Sequence, residues 1–475
     1  MISISGRASS YAVVFLSATL ITCDPGRAQS IGFTPSPSPS QPDQGTGSAE
    51  PAVGQGLAVT AYSSRPGAPY TIYLDFGGFS FNGLWGGSAS YNPGVTPAYS
   101  VDANTSSFTA TELANIKNIW SRVSEKYSPY NVNVTTVDPA VAANQAATDA
   151  QRQTYYDTHA RIMHTVIGGS GGWTGGGGVS YIGVTPNSYT GTGFSNGYHT
   201  NWVFSGQSPS NLQFIGEGSA HENGHGLNLT HQSDYSGNTL INEYSSGTGT
   251  GAGSVAPIMG NSYSSERGLW KIGPSHVNST GPTTQNDPNV FMSSNSGLSP
   301  FINDGVGHTL ATATSIPLNG LSVDFNSATG VIVPTSNLPT ATQGGANYTS
   351  DYWSFSTGAG SISLSVIAGR ESITAGTADP GAMLDASLEI LNTSGTVLFS
   401  AASNSLSQTL LPNLPAGNYI ARVFSAGDPL GRNFYDMGSY FLKGTFVAVP
   451  EPSAALSLIV ATVVGVFRRN KRRRS

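Results

Sequence analysis

Cysteine is almost missing: Cys23 is the only one in 475 residues. It lies within the first 30 residues, so the rest of the chain has no disulfide framework and must hold its fold by burial and hydrogen bonding. Charge is scarce too, at 10% of residues with a net charge of -6. Six of the twenty Lys and Arg residues crowd into the last eight positions. No broad basic surface remains, which excludes nucleic acid as the main partner. Long apolar runs are also lacking, and the stretch Ala454–Phe467 falls short of the ~20 residues of a confident spanning helix. Glycine (59) and proline (28) are plentiful instead, a balance that suits a β-rich or loop-rich extracellular protein.

The ends read as address signals. Residues 1–30 have Arg7 in a short polar start, an apolar run from Tyr11 to Ile21, and small residues at Ala28 and Ser30 suited to cleavage. Export is the expectation. At the other end, Pro450-Glu451-Pro452 precedes the apolar stretch and then Arg468, Arg469 and Lys471 to Arg474. The basic cluster would hold its end on the cytoplasmic side, giving a short membrane anchor. This Pro-Glu-Pro, hydrophobic and arginine-rich order resembles the PEP-CTERM sorting signal. The resemblance implies a transient inner-membrane anchor over 449–475, an exosortase-type processing enzyme as partner, and the cell surface or a polysaccharide matrix as destination.

Between the ends, "TPSPSPSQPDQGTGSAEP" (34–51) cannot bury a core and reads as an extended linker within 31–69. A globular pattern starts at Tyr70. "TIYLDF" (71–76) reads as a strand. Thr109 and Glu112 have capping-box spacing, and Leu113, Ile116, Trp120, Val123 and Tyr127 recur at helical intervals, so a helix is expected over 110–127. Strands are expected in 131–137, 161–169, 177–184 and 201–206. Beyond residue 300 the texture changes to short β runs, "DYWSFST", "SISLSVI", "ASLEILN", "TVLFSA" and "NYIARVF", separated by turn signals such as Asn392-Thr393-Ser394-Gly395. That spacing predicts a β-sandwich over 303–447.

The chemistry concentrates in "HENGHGLNLTHQ" (221–232), which holds three of the eight histidines. On a helix His221 and His225 lie about 40° apart on one face, so two imidazoles can meet one ion. Zinc suits imidazole nitrogen and, with a third protein ligand, keeps a position open for water. Glu222 is placed to take a proton from that water. His231 can supply the third ligand if the chain turns sharply after the helix, and Asn228, at the turning point, tolerates the positive φ this needs. A bare HExxH arises by chance in long chains; His231 at this spacing argues against chance. No ordered oxygen-ligand series of the EF-hand kind is present, so calcium is a possibility without support.

His221, Glu222, His225 and His231 resemble the metzincin zinc-peptidase pattern H-E-x-x-H-x-x-G-x-x-H, and "APIMGNSY" with Met259 resembles its Met-turn. The resemblance is closest to the reprolysin-like bacterial members and covers roughly 70–300. It implies three zinc-binding histidines, Glu222 as general base and Met259 as a support below the metal. Asn228 departs from the usual glycine. Gln232 stands where Asp is frequent, leaving Asp234 as the nearby carboxylate for a supporting role. Tyr263 comes four residues after Met259 rather than two, and is not assigned to the site. "NDGVGHTLATATSI" and the runs after it resemble the bacterial pre-peptidase C-terminal domain.

The expected fold class is an α+β metzincin-like domain, with a mixed five-stranded sheet and an active-site helix over 70–300, followed by the all-β sandwich. The expected activity is a secreted or surface zinc endopeptidase acting on protein or peptide substrates. The alternative is an inactive matrix or adhesion protein that retains the fold.

Overall fold

The computed structural model describes residue 57 and residues 59–187, 196–249, 254–276, 281–293, 298, 301–333, 350–369, 376–379, 381–403, 405–427 and 433–449, with the backbone of 28–30. The 34–51 stretch and the 450–475 tail therefore lie outside the described residues. Among the described residues no helix is long and apolar enough to cross a membrane. That finding corrects the localisation expected from the tail, because the transient inner-membrane anchor has no structural support.

The first half is built on one mixed sheet of six strands: β1 (Ala28–Ser30), β2 (Tyr70–Asp75), β3 (Val132–Thr135), β4 (Ile162–Ile167), β5 (Gly178–Tyr181) and β6 (Thr200–Val203), in the order β1-β5-β6-β4-β2-β3. β2, β3, β4 and β6 run parallel, while β5 is antiparallel to β6. The sheet has one more strand than expected. β1, from the leader-like stretch, pairs antiparallel with β5, whose edge offers an unpaired ladder. A chain cut after this stretch keeps the other five.

Helix α1 (Ala110–Tyr127) forms as its capping box predicts. The Thr109 hydroxyl accepts from Glu112 N, and the Glu112 carboxylate accepts from Thr109 N at 2.7 Å. Its apolar stripe, Ile116, Ile119, Trp120, Val123 and Tyr127, is buried. Two helices that the sequence reading did not expect, α2 (Pro139–Ala142) and α3 (Asp149–Thr158), interrupt the run of strands. α3 is mostly polar, so periodicity hides it, although its Thr148–Gln151 capping box was a readable signal. α4 (Leu212–Gly226) packs beside α1, with the Tyr127 hydroxyl donating to Ala220 O at 2.9 Å.

The second half is two facing antiparallel-rich sheets. One has the order Thr314–Ser315, Asp351–Thr357, Gly417–Ser425, Ala386–Asn392, Val397–Ala401, and the other is centred on Gly438–Thr445 and Ser363–Ala368. Alternating burial along Asp351–Thr357 marks one face inward and one outward. The halves are joined by buried polar contacts. Ser439 Oγ donates to Glu125 Oε2 at 2.5 Å, Arg267 donates to Met383 O at 2.8 Å, and Ile272 N donates to Asn433 O at 2.8 Å. Among the described residues the structure is mostly β, with few helices and many sheets.

Candidate metal centre

His221, Glu222 and His225 sit in the last two turns of α4, all buried. The helix ends at Leu227 in a Schellman arrangement, with Asn228 N donating to His225 O (2.8 Å) and Leu229 N to Gly224 O (2.9 Å). This closure requires positive φ at the next residue, and Asn228 has φ 78°. The departure from glycine thus keeps the turn. The turn returns His231 to the helix in a two-residue strand, His231–Gln232, that pairs with Ser275–His276.

The side chains converge. One ring nitrogen from each of His221, His225 and His231 lies within 4.8 Å of the others, and His225 Nε2 is 3.2 Å from His231 Nε2. Every Nδ1 is engaged on the outer side: His221 with Ile258 O (2.7 Å), His225 with Leu229 O (2.7 Å) and His231 with Glu243 Oε1 (2.8 Å). A carbonyl cannot donate, so Nδ1 carries the proton in His221 and His225, and their Nε2 atoms present lone pairs. Burial pushes the His221 pKa down to about 4, against the weaker raising effects of the Ile258 carbonyl and Glu243, which keeps this imidazole neutral. His221 Nε2 and both Glu222 oxygens are buried without a hydrogen-bond partner.

This donor set fits a small cation. Tetrahedral zinc with Zn–N distances of about 2.0–2.1 Å places its nitrogen ligands roughly 3.3 Å apart, close to the 3.2 Å found between His225 and His231. Three converging imidazoles, one of them with a buried nitrogen that has no hydrogen-bond partner, are what such an ion requires, with one position left for water. The Glu222 carboxyl is fully buried, and desolvation raises its pKa well above the usual carboxylate range.

Met259 is buried beneath α4. A Cβ placed on Gly224 would meet Met259 Sδ at 2.5 Å, so glycine is what lets the methionine approach the helix between the ligands. The same loop gives Ile258 O to His221 and takes a hydrogen bond from Gln232 N at Met259 O, 2.7 Å. Gln232 points away, with Nε2 donating to Asp287 Oδ1 at 2.9 Å.

One supporting role falls to a different residue from the one the sequence offered. Asp234 accepts from Asn242 at 3.2 Å rather than supporting a histidine, and Glu243 takes that role. Tyr263 packs on Phe214, ring centroids 5.4 Å apart, while the aromatic beside the ligands is Tyr244, 4.3 Å from the His231 ring. Neither Glu243 nor Tyr244 lies in a periodic segment or at motif spacing, so the sequence offered no signal for them. Outside the centre, His164 is buried against Asp75 and His199 among backbone carbonyls. His308 pairs with Asp351 at 3.0 Å and groups with Asp304.

No protein-family model and no curated protein matches the chain. Among solved structures it is similar to the pre-peptidase C-terminal domain of a collagenase from Bacillus anthracis, at 16% identity over 28% of this chain and 93% of that chain, with a TM-score of 0.17. A likeness at that score carries no argument, and the sandwich described above rests on this chain's own strand pairings.

Proposed function

We propose that the chain is a zinc-dependent endopeptidase of metzincin type, exported, with a sandwich domain of pre-peptidase C-terminal type behind it. The observation that carries the reading is the pair of Nε2 atoms 3.2 Å apart, with a third orphan nitrogen beside them. Two imidazole lone pairs this close repel unless a cation or proton lies between them. Helix α4, the Asn228 turn and the Ile258–Met259 loop all act to hold that arrangement.

His221, His225 and His231 would hold zinc through Nε2. When bound, zinc supplies Lewis acidity to water and to a substrate carbonyl. Glu222, adjoining the first ligand and shielded from bulk water, accepts a proton as water attacks the peptide carbonyl and returns it to the departing amine. Its burial raises its proton affinity, and a cation held by the three histidines would oppose that rise.

The test pairs metal analysis with peptide cleavage. The mature chain should contain one zinc, cleave casein or a peptide pool, and lose cleavage to a chelator. Glu222→Gln should keep the zinc and lose roughly 10²–10⁴-fold in rate. A zinc-loaded wild type that cleaves nothing across a broad panel would instead support the inactive matrix or adhesion reading.

A further inference from the structure

We propose that Glu243 is the positioning residue that holds His231 as a metal donor, by fixing its proton on Nδ1. The inference rests on the zinc reading of the three histidines.

The three rings are not held alike. His221 and His225 project from a helix, and each donates to a neutral carbonyl. His231 hangs from a two-residue strand beyond the helix, and its outer partner is a carboxylate, Glu243 Oε1 at 2.8 Å. The backbone around Glu243 is laced to the same strand: Ser233 Oγ donates to Glu243 O (2.6 Å) and Ser245 N donates to Gln232 O (2.8 Å). The Tyr244 ring flanks His231. The segment is thus set by its main chain, and the Glu243 carboxylate, half exposed at 44%, is free to serve His231.

Removing the carboxylate would open a competing state. With no acceptor at Nδ1, His231 can carry its proton on Nε2 and donate it across 3.2 Å to the lone pair of His225 Nε2. That bond would satisfy both nitrogens and consume two of the three donors. A carboxylate at Nδ1 excludes this tautomer, aims the ring and makes Nε2 a stronger donor. His231 needs such a partner most, because no helix rotamer constrains it.

The experiment compares wild type, Glu243→Ala, Glu243→Gln and Asp234→Asn. Zinc affinity is read by competition with a chromophoric chelator, and the His231 tautomer by ¹⁵N NMR of the metal-free protein. Glu243→Ala should lose roughly 10- to 100-fold in zinc affinity and shift the His231 proton toward Nε2, with its unfolding midpoint unchanged. Glu243→Gln, which keeps an acceptor but no charge, should fall between; Asp234→Asn should match wild type. Unchanged affinity and tautomer in Glu243→Ala would overturn the assignment, as would a loss confined to Asp234→Asn. A wild type that takes up no zinc would overturn the metal reading itself. The metal-free tautomer of Glu243→Ala would still decide the role of Glu243.

Discussion

Lys126, near the end of α1, joins three parts of the molecule. Its Nζ lies 2.8 Å from Glu217 Oε1 on α4 and donates to Gly268 O (2.9 Å) and to Gly381 O of the sandwich half (2.8 Å). Both side chains of the pair are essentially buried, at 1% and 0% exposure. Burial lowers the Lys126 pKa, and Glu217 opposes that shift. Glu217 lies one turn before His221, so the pair supports the helix that carries the ligands. Lys126→Met keeps the volume but leaves Glu217 without its cation and two carbonyls without their donor. Breaking a buried pair from one side costs about 3–5 kcal/mol. At roughly 2–4 °C per kcal/mol for a domain of this size, the midpoint of the first half should fall by roughly 6–20 °C. Calorimetry of the full chain would read this as a lowered first transition. The double variant Lys126→Met/Glu217→Leu should regain most of the loss, because an apolar replacement of a buried pair is often neutral. A single variant within about 1 kcal/mol of wild type would refute the reasoning. A double variant as damaged as the single would show that the lost carbonyl bonds, not the orphaned charge, set the cost.

Asn228→Gly should change stability by only a few tenths of a kcal/mol, whereas Asn228→Val, forced to φ 78°, should cost about 1–3 kcal/mol and weaken zinc uptake; equal unfolding midpoints would contradict this. Gly224→Ala would set its Cβ 2.5 Å from Met259 Sδ, and should cost about 1–3 kcal/mol, with partial relief in Gly224→Ala/Met259→Ala. Burial pushes the Asp157 carboxyl up to about 7, against hydrogen bonds from Gly197 N and His199 N that lower it. The folded form therefore holds this proton more tightly than the unfolded chain. The stability it contributes is full below the unfolded pKa near 4 and falls toward pH 7, by at most about 1.4 kcal/mol per unit. The unfolding midpoint should drop between pH 5 and 7, and Asp157→Asn should flatten the drop; an identical slope in the variant would count against it.

What could be read from the sequence was local. The Thr109–Glu112 box and the stripe down to Tyr127 specified α1 to the residue, because cap and periodicity act within one helix. The runs 351–357 and 386–392 specified two sandwich strands for the same reason. At the candidate centre, the ligand spacing and the Asn228 turn were legible, since both are consequences of helix geometry over a dozen residues. Glu243 was not, because its link to His231 depends on Asp234–Asn242 folding back as a hairpin, and nothing in the spacing of that hairpin selects Glu243 over Asp234. α3 was lost to its polar face, which shows no stripe even though its cap does.

The junction between the halves was equally hidden, and it bears on whether the sandwich is a detachable module. Phe434 lies under Lys271 Nζ, 5.1 Å from the ring centroid, and Tyr435 donates its N–H to Trp270 O (2.9 Å) and its hydroxyl to Asn286 (3.3 Å). Both rings are nearly fully buried. Exposing two such side chains forfeits roughly 3–6 kcal/mol of burial, a large share of the 5–15 kcal/mol that holds a typical domain together. Separation would also strip Lys126 of Gly381 O, Glu125 of Ser439 and Arg267 of Met383 O. Residues 303–447 expressed alone should therefore unfold at lower temperature than the same residues in the full chain, with faster hydrogen exchange at 433–437. Equal midpoints and equal exchange would mean that the contacts are incidental. In that case the sandwich would be an independently stable unit, as the change of texture beyond residue 300 suggests.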